Sequence, residues 1–252
     1  MDGYLIYKDF NMRSLSDIAE RFFDNSLNHE DPLHKEYTHY IENSYPSNHT
    51  YKIAKKKLIP KRKLAARCKK IDGLFPKKIT SLLDLGCSKG FFVFSAANDP
   101  HCTRSLGVDV SSHDINVCRW VKQQIDSKHT HFEKIRLHNL AERIQEFGGP
   151  FQTILIQNIY QYLYFGSDPF PESYLDHEII FKNLREICAE RIIFNNRITL
   201  KDCQNAERIE LAGSSYSQNY TEEKIRTAAS KYFTIIEHGT IGRYPLWTLE
   251  IK

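Results

Sequence analysis

The chain lacks the features that would tie it to a membrane, a metal or an oxidising compartment. No apolar stretch approaches the length that crosses a bilayer. The opening residues (MDGYLIYKDFNMRSLSD) carry early acids and no long apolar core, so they do not read as a secretory leader. Six cysteines are present, Cys68, Cys87, Cys102, Cys118, Cys188 and Cys203, without a C-x-x-C pair or a Cys/His cluster at zinc spacing. No metal site is therefore expected, and the thiols read as free in a reducing compartment, with the cytoplasm as the default. Internal repeats and low-complexity segments are also missing.

What is there suits one α/β domain with an appendage: 252 residues, of which 41% are hydrophobic and 26% charged. The net charge of +4 is unevenly spread. Residues 1–51 hold nine acids and four bases, whereas residues 52–78 hold twelve bases and one acid, Asp72. Such a block suits phosphate contacts, or equally the solvated face of a helix beside the acidic segment.

Periodicity divides the chain near residue 78. Residues 1–78 read as a largely helical extension, with a helix capped by Ser14 or Ser16 and running to Phe23, and a loop over Asn43–Thr50. Leu64, Cys68, Ile71 and Leu74 then recur at helical spacing before Gly73 and Pro76. Residues 79–252 read as a second unit of alternating strands and helices. Strands are expected at Thr80–Leu85, Arg104–Val110, Phe132–Leu137, Phe151–Gln157, Arg191–Phe194, Phe233–Glu237 and Leu246–Ile251. Helices are expected from Ser112, as N-cap, to Gln124, over Ser173–Cys188 and over Thr221–Lys231. The alternation predicts a doubly wound, mostly parallel seven-stranded sheet of Rossmann-like form. The last two strands are joined too tightly for a crossover helix and should be antiparallel.

In such a sheet a ligand binds beyond the carboxyl ends of the strands. The turn after the first expected strand is Asp84-Leu85-Gly86-Cys87-Ser88-Lys89-Gly90, in which Gly86 and Gly90 let the backbone turn sharply near a ligand. The nicotinamide fingerprint fails, because it needs glycines where Ser88 and Phe91 stand. Asp109 ends the next strand, nineteen residues after Gly90, where a carboxylate can accept from both hydroxyls of a ribose.

LLDLGCSKG followed by LGVDVS resembles motifs I and II of class I S-adenosylmethionine-dependent methyltransferases, and the strand pattern is similar to that fold from about residue 78 to the end. The resemblance implies S-adenosyl-L-methionine as cofactor. Asp84, Gly86, Ser88 and Gly90 would then sit against its amino acid part, Asp109 at its ribose and Asn139 by its adenine. Gln157 and Asn158 would floor the space between cofactor and acceptor. Ser88 departs from the usual middle glycine. LLDLGCSKGFFVF, GVDVSSHDINVCRWV and GRYPLWTLE further resemble the methyltransferase module of bacterial enzymes that methylate the end of an O-antigen chain. Those carry an arginine before motif I that meets the cofactor carboxylate. Arg62 is the nearest match, with Lys61 and Lys63 blurring the register.

Relatives in that group place a His pair where this chain has Gln161 and Tyr162, so no histidine base is expected there. Tyr162 or Tyr160 could orient an acceptor oxygen or shape the pocket, His138 and His177 are the candidate bases, and Asn195 and Asn196 could bind a polar acceptor at the sheet edge. The aromatic stretch Tyr160–Tyr174 is a candidate acceptor loop. The leading expectation is methyl transfer to an oxygen of a saccharide or other small molecule. An RNA methyltransferase using residues 52–78, and a non-catalytic binding protein of the same fold, are the alternatives.

Overall fold

The computed structural model describes residues 31–167 and 171–252. The helix expected between Ser14 and Phe23 lies outside the described residues. Helix α1 (Pro32–Asn43) starts where Asp31 accepts the Leu33 N–H, and proline occupies the first helical position, where its missing N–H costs nothing. A hairpin follows, β1 (Tyr51–Ala54) and β2 (Lys57–Pro60), turned by Lys55 and Lys56 in the left-handed region (φ 49° and 57°). This corrects the expectation of helix and loop up to residue 78. A tight turn of that hand usually draws on Asn or Gly, and two lysines carry no such signal. Helix α2 (Arg62–Ile71) buries Leu64, Arg67 and Ile71, so an arginine shares the apolar stripe.

The main sheet alternates with helices. Its elements are β3 (Ser81–Leu85), α3 (Phe91–Ala97), β4 (Arg104–Asp109), α4 (Ser112–Ile125), β5 (Thr130–Lys134), α5 (Leu137–Glu142), β6 (Phe151–Gln157), α6 (Tyr160–Phe165), α7 (His177–Ile187) and β7 (Cys188–Asn195). They continue as α8 (Ala206–Ala212), α9 (Ser214–Asn219), α10 (Glu222–Ala229), β8 (Phe233–Ile241) and β9 (Tyr244–Ile251). Several expected boundaries shift. Ser111, not Ser112, caps α4 by accepting the Asp114 N–H. Strand β5 begins and ends earlier than Phe132–Leu137, and β7 is longer than Arg191–Phe194. Asp176 caps α7, so that helix starts after Ser173.

The strand order is β5-β4-β3-β6-β7-β9-β8, with β3 to β7 parallel and β9 antiparallel to both neighbours. The order reverses between β3 and β6, as expected for a doubly wound sheet, and this places the ligand crevice at their carboxyl ends. Alternation along the buried strands feeds two cores. Leu83, Leu85, Ile154, Ile156, Ile192 and Phe194 face α5, α6, α7 and α10. Leu82, Leu155 and Ile193 share the opposite core with α3, α4 and the extension residues Tyr37, Ile41, Tyr51, Leu64 and Ile71. The described part of the extension is therefore packed onto one face of the sheet. No helix among the described residues is long and apolar enough to cross a membrane.

Candidate active site

The turn after β3 is held by the strand beside it: the Gly86 and Cys87 N–H groups donate to the Val108 carbonyl at 2.8 and 3.0 Å. Gly86 has φ +77°, and a Cβ there would lie 2.5 Å from Ile159 Cγ2. Gly90 serves packing instead, since a Cβ would meet Cys118 Sγ and Phe132 at 2.9 Å. Ser88 takes the left-handed conformation (φ 48°) without being glycine, a strained choice of the kind that gathers at functional sites.

Lys89 is fully buried and joins this turn to the extension. Its Nζ donates to the Ser44 carbonyl at 2.6 Å and lies 4.8 Å from the Tyr40 ring centre, while its own carbonyl accepts from Tyr51 Oη at 2.6 Å. Desolvation lowers its pKa to about 8.

Asp109 Oδ2 accepts from the Ser88 N–H and Oδ1 from the Ser111 N–H, both at 3.0 Å. Burial and then the nearby Asp114 raise its pKa to about 6, against the pull of those N–H donors. Asp84 is buried behind the turn, and desolvation lifts its pKa to about 7. The positive charge of Arg67 opposes that rise without cancelling it. Arg67 is itself buried, with Nη1 2.6 Å from His49 Nε2 and with Nε and Nη2 lacking a hydrogen-bond partner among the described residues. Burial depresses its pKa to about 10 and drives His49 well below the usual imidazole value, so His49 accepts as a neutral ring.

A cavity of about 1010 Å³ runs along the carboxyl ends of β3 to β7. Gly86, Ser88, Asp109, His138, Asn139, Gln157, Asn158 and Tyr162 line it, with Tyr40, Tyr45 and His49 contributed by the extension. Both side-chain polar atoms of Gln157 and the Asn158 Oδ1 are buried without hydrogen-bond partners among the described residues, and Asn158 sits at φ 61°. Buried polar groups left open in this way fit a wall that waits for a ligand.

Arg62, Asp84, Gly90, Tyr160 and Asn195 do not line the cavity. Arg62 is exposed on the first turn of α2, and Arg67, one helical turn and a half later, is the arginine that interacts with Asp84. The signal was its place three residues after Leu64 and four before Ile71. Tyr160 is buried in the core, its hydroxyl 2.8 Å from His177 Nδ1, so it cannot reach an acceptor. Asn195 donates to the Tyr244 and Pro245 carbonyls at 3.1 and 2.8 Å, which braces the strand connection. Asn196 likewise holds backbone, accepting from the Ile159 and Tyr160 N–H groups at 2.9 and 3.0 Å. His177 bridges Tyr160 and the Asn219 carbonyl, and His138, exposed at the rim, pairs with Glu142 at 3.2 Å. Tyr162 faces the cavity half-buried, its hydroxyl pKa raised by desolvation.

A family model described as a methyltransferase domain matches residues 76–233, and the chain belongs to that family. The sheet order and this match define a class I, Rossmann-like methyltransferase. No curated protein matches the chain. Among solved structures it is similar to the PH0226 protein of Pyrococcus horikoshii OT3 (17% identity, 79% of this chain and 95% of that one, TM-score 0.54). It is also similar to a ribosomal protein L11 methylase from Lactobacillus delbrueckii subsp. bulgaricus (13% identity, 77% and 81%, TM-score 0.50). A third likeness is to WbdD, a bifunctional kinase-methyltransferase (15% identity, TM-score 0.47), where the match spans 75% of this chain and 40% of WbdD.

Proposed function

We propose that this methyltransferase uses S-adenosyl-L-methionine and methylates an oxygen of a saccharide or other small acceptor. The observation that supports the cofactor assignment is the set of opposed charges gathered around the β3 turn. Asp109 on the cavity wall and Asp84 behind it are desolvated carboxylates that favour a cationic ligand, while Arg67, also behind the wall, has two buried nitrogens without a hydrogen-bond partner among the described residues, which suit an anion. A ligand with an ammonium, a carboxylate and a ribose answers all three.

Asp109 would accept from the ribose hydroxyls, Asp84 and the Gly86–Ser88 turn would face the amino acid part, and Arg67 would take the carboxylate role first assigned to Arg62. Asn139 would lie by the adenine and Gln157 and Asn158 beneath the reacting centre. When bound, S-adenosyl-L-methionine supplies a methyl group on a positively charged sulfur, already activated for in-line displacement. The chain's own contribution is then to position the acceptor and exclude water. Tyr162 keeps its proton at neutral pH and suits orienting an acceptor oxygen. His138, exposed and paired with Glu142, is the weaker candidate for removing a proton.

A concave cavity of about 1010 Å³ suits a small acceptor. In the basic segment Lys61 and Lys63 are engaged in fixing the extension, through the Glu42 carbonyl at 2.6 Å and Ser47 Oγ at 3.1 Å. A cytoplasmic, reducing setting goes with this reading, since all six cysteines are unpaired. Thermal shift tests it: S-adenosylhomocysteine should stabilise the protein and nicotinamide dinucleotides should not. Stabilisation by the dinucleotide alone would overturn the assignment. RNA binding that falls steeply with salt would favour the nucleic-acid alternative.

A further inference from the structure

Arg197 follows the end of β7, and the mechanism above makes no use of it. Its residue is 7% exposed and its Nε is buried without a partner, yet it lines the cavity. Among the described residues no carboxylate or carbonyl meets its guanidinium. The Tyr244 ring lies beneath it, 4.9 Å from ring centre to Cζ. Its backbone is fixed, because the Tyr220 hydroxyl donates to its carbonyl at 2.7 Å. The wall beside it is braced as well: Tyr45 Oη donates to Gln204 Oε1 at 3.3 Å, and the Gln204 N–H donates to Gln161 Oε1 at 2.8 Å.

The other charged side chains of the lining are Asp109, Asp114 and the paired Arg136 and Glu172. Asp109 ends β4 and Asp114 lies in the helix after it, whereas Arg197 follows β7, and β3 and β6 lie between. Three strand spacings amount to roughly 14 Å. Arg197 is therefore too far from Asp109 to serve the same part of one ligand. A guanidinium cannot shed its charge, and here its Nε is buried without a hydrogen-bond partner among the described residues, which is costly unless a ligand meets the fork. Its planar fork matches a carboxylate or phosphoryl group, the two anions that accept two parallel N–H bonds. Tyr45, Tyr162 and Tyr244 surround this end with rings suited to the body of a small molecule.

We infer that Arg197 is the specificity-determining anchor for a small acceptor carrying a carboxylate or phosphoryl anion, held at the end of the cavity opposite the cofactor. This rests on the methyltransferase reading for the word acceptor, but the anion site stands on its own geometry.

The test is calorimetric titration of the full chain, with and without saturating S-adenosylhomocysteine, using benzoate, phenyl phosphate and the neutral benzyl alcohol as probes. At least one anion should bind tenfold or more tightly than benzyl alcohol, and comparison of the two anions identifies which group the site takes. Arg197→Met should remove that preference while leaving benzyl alcohol and S-adenosylhomocysteine affinities unchanged, and Arg197→Lys should restore part of it. Equal binding of neutral and anionic probes by the wild-type chain would overturn the inference, and needs no variant to fold. Retention of the anion preference in folded Arg197→Met would overturn it too. Failure of S-adenosylhomocysteine to bind would instead strike the cofactor assignment, and the titrations without it would still decide the anion site.

Discussion

Arg67 Nη1 lies 2.6 Å from His49 Nε2, which links a helix of the N-terminal extension to the loop that lines the cavity. The bond uses one of three guanidinium nitrogens. The other two are buried without a hydrogen-bond partner among the described residues, and under the proposed function they would serve the cofactor end of the site.

Arg67→Met is expected to weaken S-adenosylhomocysteine binding by roughly ten- to a hundredfold, the equivalent of about 1.5–3 kcal/mol for a charge-assisted bond. Methylthioadenosine, which lacks the amino acid part, should bind both proteins alike. Arg62→Met should change neither affinity. Equal loss for both ligands would point to a general collapse of the pocket, and an effect at Arg62 would restore the register read from the sequence.

Gly86→Ala should destabilise the fold by more than 1 kcal/mol, because the added Cβ meets Ile159 Cγ2 at 2.5 Å from a left-handed backbone. Ser88→Gly should leave stability within about 1 kcal/mol, as relief of the left-handed conformation offsets glycine's entropy. Chemical denaturation of both variants checks the contrast. A Gly86→Ala protein as stable as the parent would contradict the packing described for the turn.

His177 carries a pH dependence. Burial lowers its pKa from 6.5 to about 4, so the folded protein holds it neutral between Tyr160 and Asn219. Its contribution is fully present above pH 6.5 and is lost as pH falls toward 4. Between pH 7 and pH 5 the loss should be about 1–2 kcal/mol. Asp84 and Asp109 have raised values and change stability in the opposite sense, so the measurement is the difference between wild type and His177→Phe across that window. Parallel stability curves would show that His177 is not the source.

The parts of this account legible in the sequence are those coded locally. The β3 run, the glycine turn and Asp109 lie within one strand–turn–helix unit and the strand after it, so spacing alone brings them together. Residues placed by tertiary contact were less visible. Arg67 hides in a block of bases where charge obscures the apolar stripe it joins. Tyr160 and Asn195 end at the correct sheet edge, but their side chains turn into the core and into the β9 connection. The β1–β2 hairpin turns on two lysines that no local rule favours, and Arg197 acquires meaning only from the fold, where no carboxylate or carbonyl among the described residues meets its guanidinium.

The central claim is that Asp109 and the β3 turn form an S-adenosylmethionine site, and calorimetric titration of S-adenosylhomocysteine into wild type and Asp109→Ala tests it most directly. Loss of two hydrogen bonds to a carboxylate should weaken binding by about 1–3 kcal/mol, with thermal unfolding confirming that the variant is folded. Unchanged affinity in Asp109→Ala, or no binding by the wild-type chain, would contradict the account.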